Sequence, residues 1–388
     1  MSAGTTLGAV ALGGLTGASV GYAAAYSQQD VAKSTIVPFY GARQAGIATP
    51  AQDHGVFLAF NLRPEVDLAR FRAVMQILTD DAARLTQGEP PAPDNDPMLA
   101  RDPAGLTFTF GFGQPLLTKF GLQSRTPRGF VGIPEYAIDR LQNEYSGGDL
   151  LVQIGSDDPL TLSHAARQVS RTLVSFAVPV WAQRGFVGAA GKSPATGTPR
   201  NLFGQLDGTV NPGRFGLSFD EYVWAANAGW FTDGTMLVLR RIAMNLPTWD
   251  KLGDSDKEQV IGRRLESGAP LTGSREQDVA DLNAVDNTNL PIIPDHAHMR
   301  RAAPQKPHER FLRRPFSYDD GILEDGDPNA GLLFAAYAAN IETQYLPVQN
   351  RVAASDLLNK WTTTIGSATF LIPPGCEPGG FIGEGLLA

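Results

Sequence analysis

Two stretches of this chain carry side chains suited to moving protons and steadying negative charge. The first is GQLDGTVNP, 204–212. It sets Asp207 on a short turn between small and turn-forming residues, where a carboxylate is displayed rather than lost on a helix surface. A carboxylate so placed takes a proton from one atom and returns it to another, an acid–base role worth roughly 10²–10⁴-fold in rate. Its bland counterpart is a plain Asx turn. The second stretch is FLRRPFSY, with adjacent Arg313 and Arg314. In a strand, neighbouring side chains point to opposite faces, so one arginine lines a pocket while the other faces solvent. A fixed guanidinium stabilises charge that develops on a departing oxygen. A surface arginine pair is the bland counterpart here.

Histidine is scarce, with five in 388 residues. His164 falls within a helical pattern and reads as structural, while His54 and His308 sit in polar surroundings and read as solvated. His296 and His298 lie in DHAHMRRAAP. Residues two apart diverge around a helix, so only one of the pair faces a pocket. His298, which opens the turn MRRAA, is the choice for a metal ligand. An imidazole ligand is normally oriented by a carboxylate or carbonyl on its other ring nitrogen. Asp356, in AASDLLNKW, is a carboxylate on a largely apolar helix; Arg351 and Lys360 offer it ordinary salt-bridge partners instead. Arg263 in IGRRLESGAPL, and Arg240 or Arg241 in VLRRIAMNL, are cations of the kind that the carboxylates of a haem require.

The elements that must position these groups follow from periodicity. Alternation or short apolar runs predict strands at Val56–Leu62, Leu106–Gly113, Asp149–Asp158 and VPVWAQRGFVG, with helices at Asp67–Leu85 and Leu162–Phe176. The order β-α-β-β-α-β is the ferredoxin-like pattern. The second half repeats it. Strands are expected at Thr235–Leu246, RFLRRPFSY, GLLFAAYAAN and SATFLIPP, and helices at Asp256–Gly268 and Leu346–Trp361. The fold class expected is α+β: two tandem ferredoxin-like domains, 37–200 and 201–388, each an antiparallel sheet with flanking helices. Loops at 86–105, 120–148 and 269–297 exceed ordinary connections, and such loops often shape binding sites.

Composition narrows the function class. A formal net charge of -8 argues against nucleic-acid binding. The single cysteine, Cys376, excludes an intramolecular disulfide, a cysteine-based zinc site and an iron–sulfur centre. Without a CxxCH motif, any haem is held non-covalently. Residues 1–29 contain no Asp, Glu, Lys or Arg. Leu7–Ala25 is too rich in Gly and Ala for a membrane span, so no stable membrane insertion is expected. It is similar to the apolar region of a secretory signal, of the twin-arginine type that tolerates weak hydrophobicity. The other reading of 1–36 is a disordered tail on a cytoplasmic protein.

Taken together, these motifs resemble those of the dye-decolorizing peroxidases, and the resemblance covers almost everything from about Val37 onward. GQLDGTVNP is similar to the family's GxxDG motif, HMRRAAP to its proximal-histidine segment and FLRRPFSY to its distal-arginine segment. The resemblance implies a haem b enzyme with the cofactor in the C-terminal half. His298 would be on iron, Asp356 would orient it, and Asp207 and Arg313 would be catalytic. Arg263 would face a haem propionate, with Arg240 as a further cation. Such an enzyme reduces hydrogen peroxide through a ferryl intermediate and oxidises dyes, phenols or other one-electron donors, with Tyr318, Tyr345 and Trp361 as surface relays. The exported subgroup also contains deferrochelatases, so iron extraction or haem binding with little turnover is the alternative. A homo-oligomer is compatible with either. Arg43 stands where the family suggests His, Ala303 where Asn is usual, and Pro315 where another subgroup carries a distal Asn.

Overall fold

The computed structural model describes residues 35–388 apart from 189–191, 194–195 and 214–216. The segment Leu7–Ala25, and the export reading placed on it, lie outside the described residues. Residues Ile36–Ala388 form one compact unit.

Its first half runs β1 (His54–Leu62), α1 (Leu68–Thr86), β2 (Thr107–Gly113), β3 (Leu150–Ser156), α2 (Pro159–Leu173) and β4 (Ala177–Phe186). The strands lie antiparallel in the order β2-β3-β1-β4. Both helices start on an aspartate whose carboxylate accepts an orphan backbone N–H, Asp67 from Arg70 and Asp158 from Thr161. Alternation in β1 divides its side chains between two cores. Val56, Leu58 and Phe60 pack with Phe71, Val74 and Leu78 of α1, whereas Phe57 and Ala59 face the second sheet.

The second half runs β5 (Thr235–Met244), α3 (Asp254–Ile261), α4 (His298–Ala302), β6 (Leu312–Arg313), β7 (Phe316–Ile322), β8 (Pro328–Ala338), α5 (Leu346–Ser355) and β9 (Thr362–Ile372). Here the order is β9-β5-β8-β7, with β6 on the same edge of β8 as β7. Both halves therefore have the ferredoxin-like arrangement. Their edges also meet. Phe112 and Gly113 of β2 pair with Leu371 and Phe370 of β9, and Phe186 of β4 pairs with Ser317 of β7. The strands close into a circuit with few open edges. Phe57, Trp181, Leu237, Phe316, Leu333 and Phe370 fill the space between the two sheets.

Two helices end earlier than periodicity predicts. The helix expected over Asp256–Gly268 stops at Ile261, because Gly262 adopts a left-handed φ of 89° as its cap. The following RRLESG is therefore loop. The helix expected over Leu346–Trp361 stops at Ser355, where Asp356 turns extended (φ -72°, ψ 125°) and caps a separate 3-10 turn, Leu357–Lys360. The strand expected across FLRRPFSY is split at Pro315, which has no N–H to give to the ladder.

Candidate functional site

Asp207 and Arg313 are 106 residues apart in sequence and meet through a 2.9 Å bond from Arg313 Nη1 to Asp207 Oδ1. Their side chains are 14% and 21% exposed, so both are sheltered yet reachable. The Asp207 loop is closed at its base, where Asp207 N donates to Pro199 O (2.9 Å) and Arg200 bridges to Leu206. Gly204 and Gly208 bracket the aspartate with φ of 77° and 133°, conformations that favour glycine. Asn211 then fixes the arginine's backbone from both sides. Its Oδ1 accepts from Arg313 N (3.0 Å) and its Nδ2 donates to Arg313 O (2.7 Å). Asn201 Nδ2 reaches the other Asp207 oxygen at 3.4 Å.

Arg314 does point away from Arg313, but it does not reach solvent. It is 7% exposed and donates to the carbonyls of Ile47 and Pro50 and to the Gln52 side chain. Because the strands form a closed circuit, the second face of this strand is interior too.

On the facing side, His298 is the first residue of α4, and its Nδ1 lies 2.6 Å from Asp356 Oδ2. The carboxylate is fully buried, while the imidazole retains 35% exposure. Asp356 is held from behind. Its Oδ1 accepts from Leu358 N (2.8 Å), and the neighbouring Leu357 N donates to His296 O (2.8 Å). His296 itself is exposed, with Nδ1 3.1 Å from Ser355 O. Arg351 ties the end of α4 to α5, donating to Ala303 O (2.9 Å) and pairing with buried Glu309 (2.8 Å). Burial alone would lower the His298 pKa. The Asp356 carboxylate, by charge and by hydrogen bond, outweighs this and holds it above the ordinary 6.5. Arg313 opposes that rise and Asp207 adds to it, so both distal charges reach the imidazole.

This arrangement fits an iron porphyrin. Nδ1 is committed to Asp356, which leaves Nε2 as the ligating atom, and the partly exposed imidazole lies close enough to Asp207 and Arg313 to feel both charges. The remaining predicted cations divide. Arg263 is close enough to Arg313 for burial and that second cation to lower its pKa, against the pull of Glu276. One of its nitrogens donates to the carbonyls of Gly268 (2.6 Å) and Glu276 (3.1 Å). Arg240 is not brought to this cluster. It is 1% exposed, and its guanidinium pairs with Asp139 at 2.6 Å and donates to Ser367 at 3.3 Å. A buried guanidinium needs such a partner. Arg241 faces the other way, over the rings of Tyr318 (3.8 Å) and Tyr145 (4.4 Å). Arg43 is held elsewhere by Asp220, Asp233 and the face of Trp224.

Sequence reading missed Asn211, Asn201 and Glu276. The first had a signal: it lies four residues beyond Asp207 in the same motif. Asn201 lies six residues before Asp207 but outside that motif, and Glu276 shows only through partners far along the chain.

Comparison with known proteins agrees with the two-half architecture. Residues 44–187 match the model for the N-terminal domain of Dyp-type peroxidases, and 198–377 match that for the C-terminal domain. The chain is 37% identical to a dye-decolorizing peroxidase of Thermobifida fusca over 362 residues, 89% of this chain and 84% of the relative. It is 31% identical to a deferrochelatase of Escherichia coli (strain K12), covering 90% and 87% of the two chains. Its fold superimposes on the crystal structure of a DyP-type peroxidase from Cellulomonas bogoriensis with a TM-score of 0.88 and 42% identity, over 92% of this chain and 99% of that one. The chain belongs to the Dyp-type peroxidase family and is a peroxidase.

Proposed function

We propose that the chain binds haem b non-covalently in its C-terminal half, between His298 on one side and Asp207 with Arg313 on the other. The observation that carries this reading is the pair of preset couples, His298–Asp356 and Asp207–Arg313, close enough for the charges of the second to reach the imidazole of the first. Haem b, when bound, supplies the redox centre at which hydrogen peroxide is reduced to water. His298 would hold the iron through Nε2, while Asp356 keeps the proton on Nδ1 and fixes the ring plane. Asp207 accepts the peroxide's proton from one oxygen and delivers it to the other as the O–O bond breaks. Arg313 orients Asp207 and steadies the charge on the departing oxygen. Arg263 is the propionate partner in this reading. Arg240, already paired with Asp139, would stiffen the sheet under the site instead.

Electrons come from dyes, phenols or similar one-electron donors too bulky to enter the site. Of the three expected relays, Tyr318 and Tyr345 are buried, and burial pushes both phenols up to about 12. Trp361 is partly exposed and stacks edge-on against Trp249 at 5.4 Å, which favours it as the exit. The 31% identity to a deferrochelatase supports a second reading, iron extraction with little turnover. Steady-state oxidation of a dye by peroxide separates the two. Export through the twin-arginine route is proposed from Leu7–Ala25 alone; fractionation of expressing cells tests it.

The direct test is an absorption spectrum of the haem-loaded protein before and after one equivalent of peroxide. A Soret band that shifts on mixing is expected. His298→Ala should remove that band; an unchanged spectrum in this variant overturns the ligand assignment.

A further inference from the structure

Glu276 lies in the irregular segment 269–297, yet it is only 5% exposed. A buried carboxylate is costly unless hydrogen bonds replace its water. Here they come from hydroxyls: Thr196 Oγ1 at 2.5 Å, Thr198 Oγ1 at 2.6 Å and Thr209 Oγ1 at 2.8 Å, with Ser193 as a fourth donor. These donors stand on both limbs of the loop that presents Asp207. Ser193, Thr196 and Thr198 precede it, and Thr209 follows two residues after it. The Glu276 carboxylate therefore sits between the limbs and draws them together. Its backbone carbonyl also receives Arg263, whose cation lies near that of Arg313. Burial alone would raise the carboxyl's pKa, but the hydroxyls outweigh it and hold the group below the ordinary 4.5, so it remains ionised.

We propose that Glu276 is a positioning residue for the peroxide reaction: it clamps both limbs of the Asp207 loop and so fixes Asp207 in its bond to Arg313. Segment 269–297 is thereby a working wall of the active site rather than a surface insertion. The inference rests on the acid–base reading of Asp207 given above.

The test uses the haem-loaded full chain and measures the rate of the first absorbance change on stopped-flow mixing with peroxide. Glu276→Ala should slow this step about 10- to 100-fold, the size expected when a reacting group is displaced by about 1 Å. Haem content and Soret maximum should stay the same. Glu276→Gln, which still accepts on one oxygen, should restore much of the rate. Thr209→Val removes one bond at constant shape and should give a smaller loss, which keeps the test available if Glu276→Ala folds poorly. The decisive readout is the double variant with Asp207→Asn. Residues acting through one group are non-additive, so Glu276→Ala should add almost nothing in that background. An equal loss in both backgrounds, or unchanged rates in Glu276→Ala and Thr209→Val, overturns the proposal while leaving Asp207 in its role. An unchanged rate in Asp207→Asn alone overturns the reading of Asp207, and the clamp with it.

Discussion

The two halves of the molecule share one strand order and differ in what covers the sheet. In the first half, helices of 19 and 15 residues lie over the outer face, and the residues of β1, β2 and β3 beneath them, such as Val56, Leu58, Phe60, Phe108, Phe110, Val152 and Ile154, are apolar and buried. In the second, α3, α4 and α5 have 8, 5 and 10 residues, and long irregular segments take the remaining space. The first strand of each half shows the same contrast. Val56, Leu58 and Phe60 face outward from β1, whereas β5 puts Arg240 between Val238 and Ile242. Each half also carries a histidine–aspartate pair. His164 and Asp94 lie 3.1 Å apart with both side chains 1% exposed, and the second ring nitrogen of His164 is entombed without a partner. His298 and Asp356 pair through the other ring nitrogen, Nδ1, in an imidazole that keeps 35% exposure. Identical residue types are thus inert in one half and available in the other. The difference is not chemistry but access, created by withholding helical cover.

That division predicts where substitutions act. The largest effect is expected at the open half. Asp207→Ala or Arg313→Leu should slow the first spectral change with peroxide by roughly 10²–10⁴-fold while leaving the Soret band of the resting protein in place. If both variants react at the original rate, the distal assignment is wrong and the open half is merely less covered. The matching change in the closed half should leave chemistry alone. Phe71 is fully buried and packs edge-on against Phe112 at 5.7 Å. Phe71→Ala should cost about 3–5 kcal/mol of stability by denaturant unfolding, with the peroxide rate per bound haem unchanged below the transition. A fall in that rate would show that the halves are not separable.

A smaller effect tests the open histidine's support. Asp356→Ala removes the fully buried carboxylate on His298 and should weaken haem affinity about 10- to 100-fold, measured by haem transfer to an acceptor protein. The equivalent change in the closed half, Asp94→Ala, should leave haem transfer untouched.

How far this contrast could be read in the sequence depends on the range of each interaction. Strand order was legible because alternation is local, and so was the opposition of Arg313 and Arg314. That Arg314 is buried was not, because it follows from closure of the strand circuit through single pairings such as Phe186 with Ser317. Asp207, Arg313, His298 and Asp356 stood out through residue type and the motifs around them. The groups that support them come from remote positions: Glu309 on Arg351, and Glu276 on three threonines. Helix ends were also misplaced. Gly262 fell inside the helix expected over Asp256–Gly268 although it caps one, and Asp356 was placed on a helix when it is the cap that ends one. In both places the helix is cut short beside α4, where Gly262 abuts Met299 and Asp356 reaches His298.

The smallest expected effect concerns the cost of keeping the site walled. Glu276 is a carboxylate whose folded-state pKa is depressed, by hydroxyl donors that overcome its burial. A group of this kind stabilises the fold above its unfolded value, about 4.3–4.5, and loses that contribution as pH falls through the lower folded value. The comparison is wild type against Glu276→Gln, which cannot ionise. The wild type should melt at a higher temperature than the variant at neutral pH, by about a degree in a chain of this size. The gap should close as pH falls from the unfolded value through the lower folded value and the wild-type carboxyl takes up its proton. A gap that persists unchanged into acid would mean that the wall depends on the shape of Glu276 and not on its charge. The open half would then be held by packing, as the closed half is.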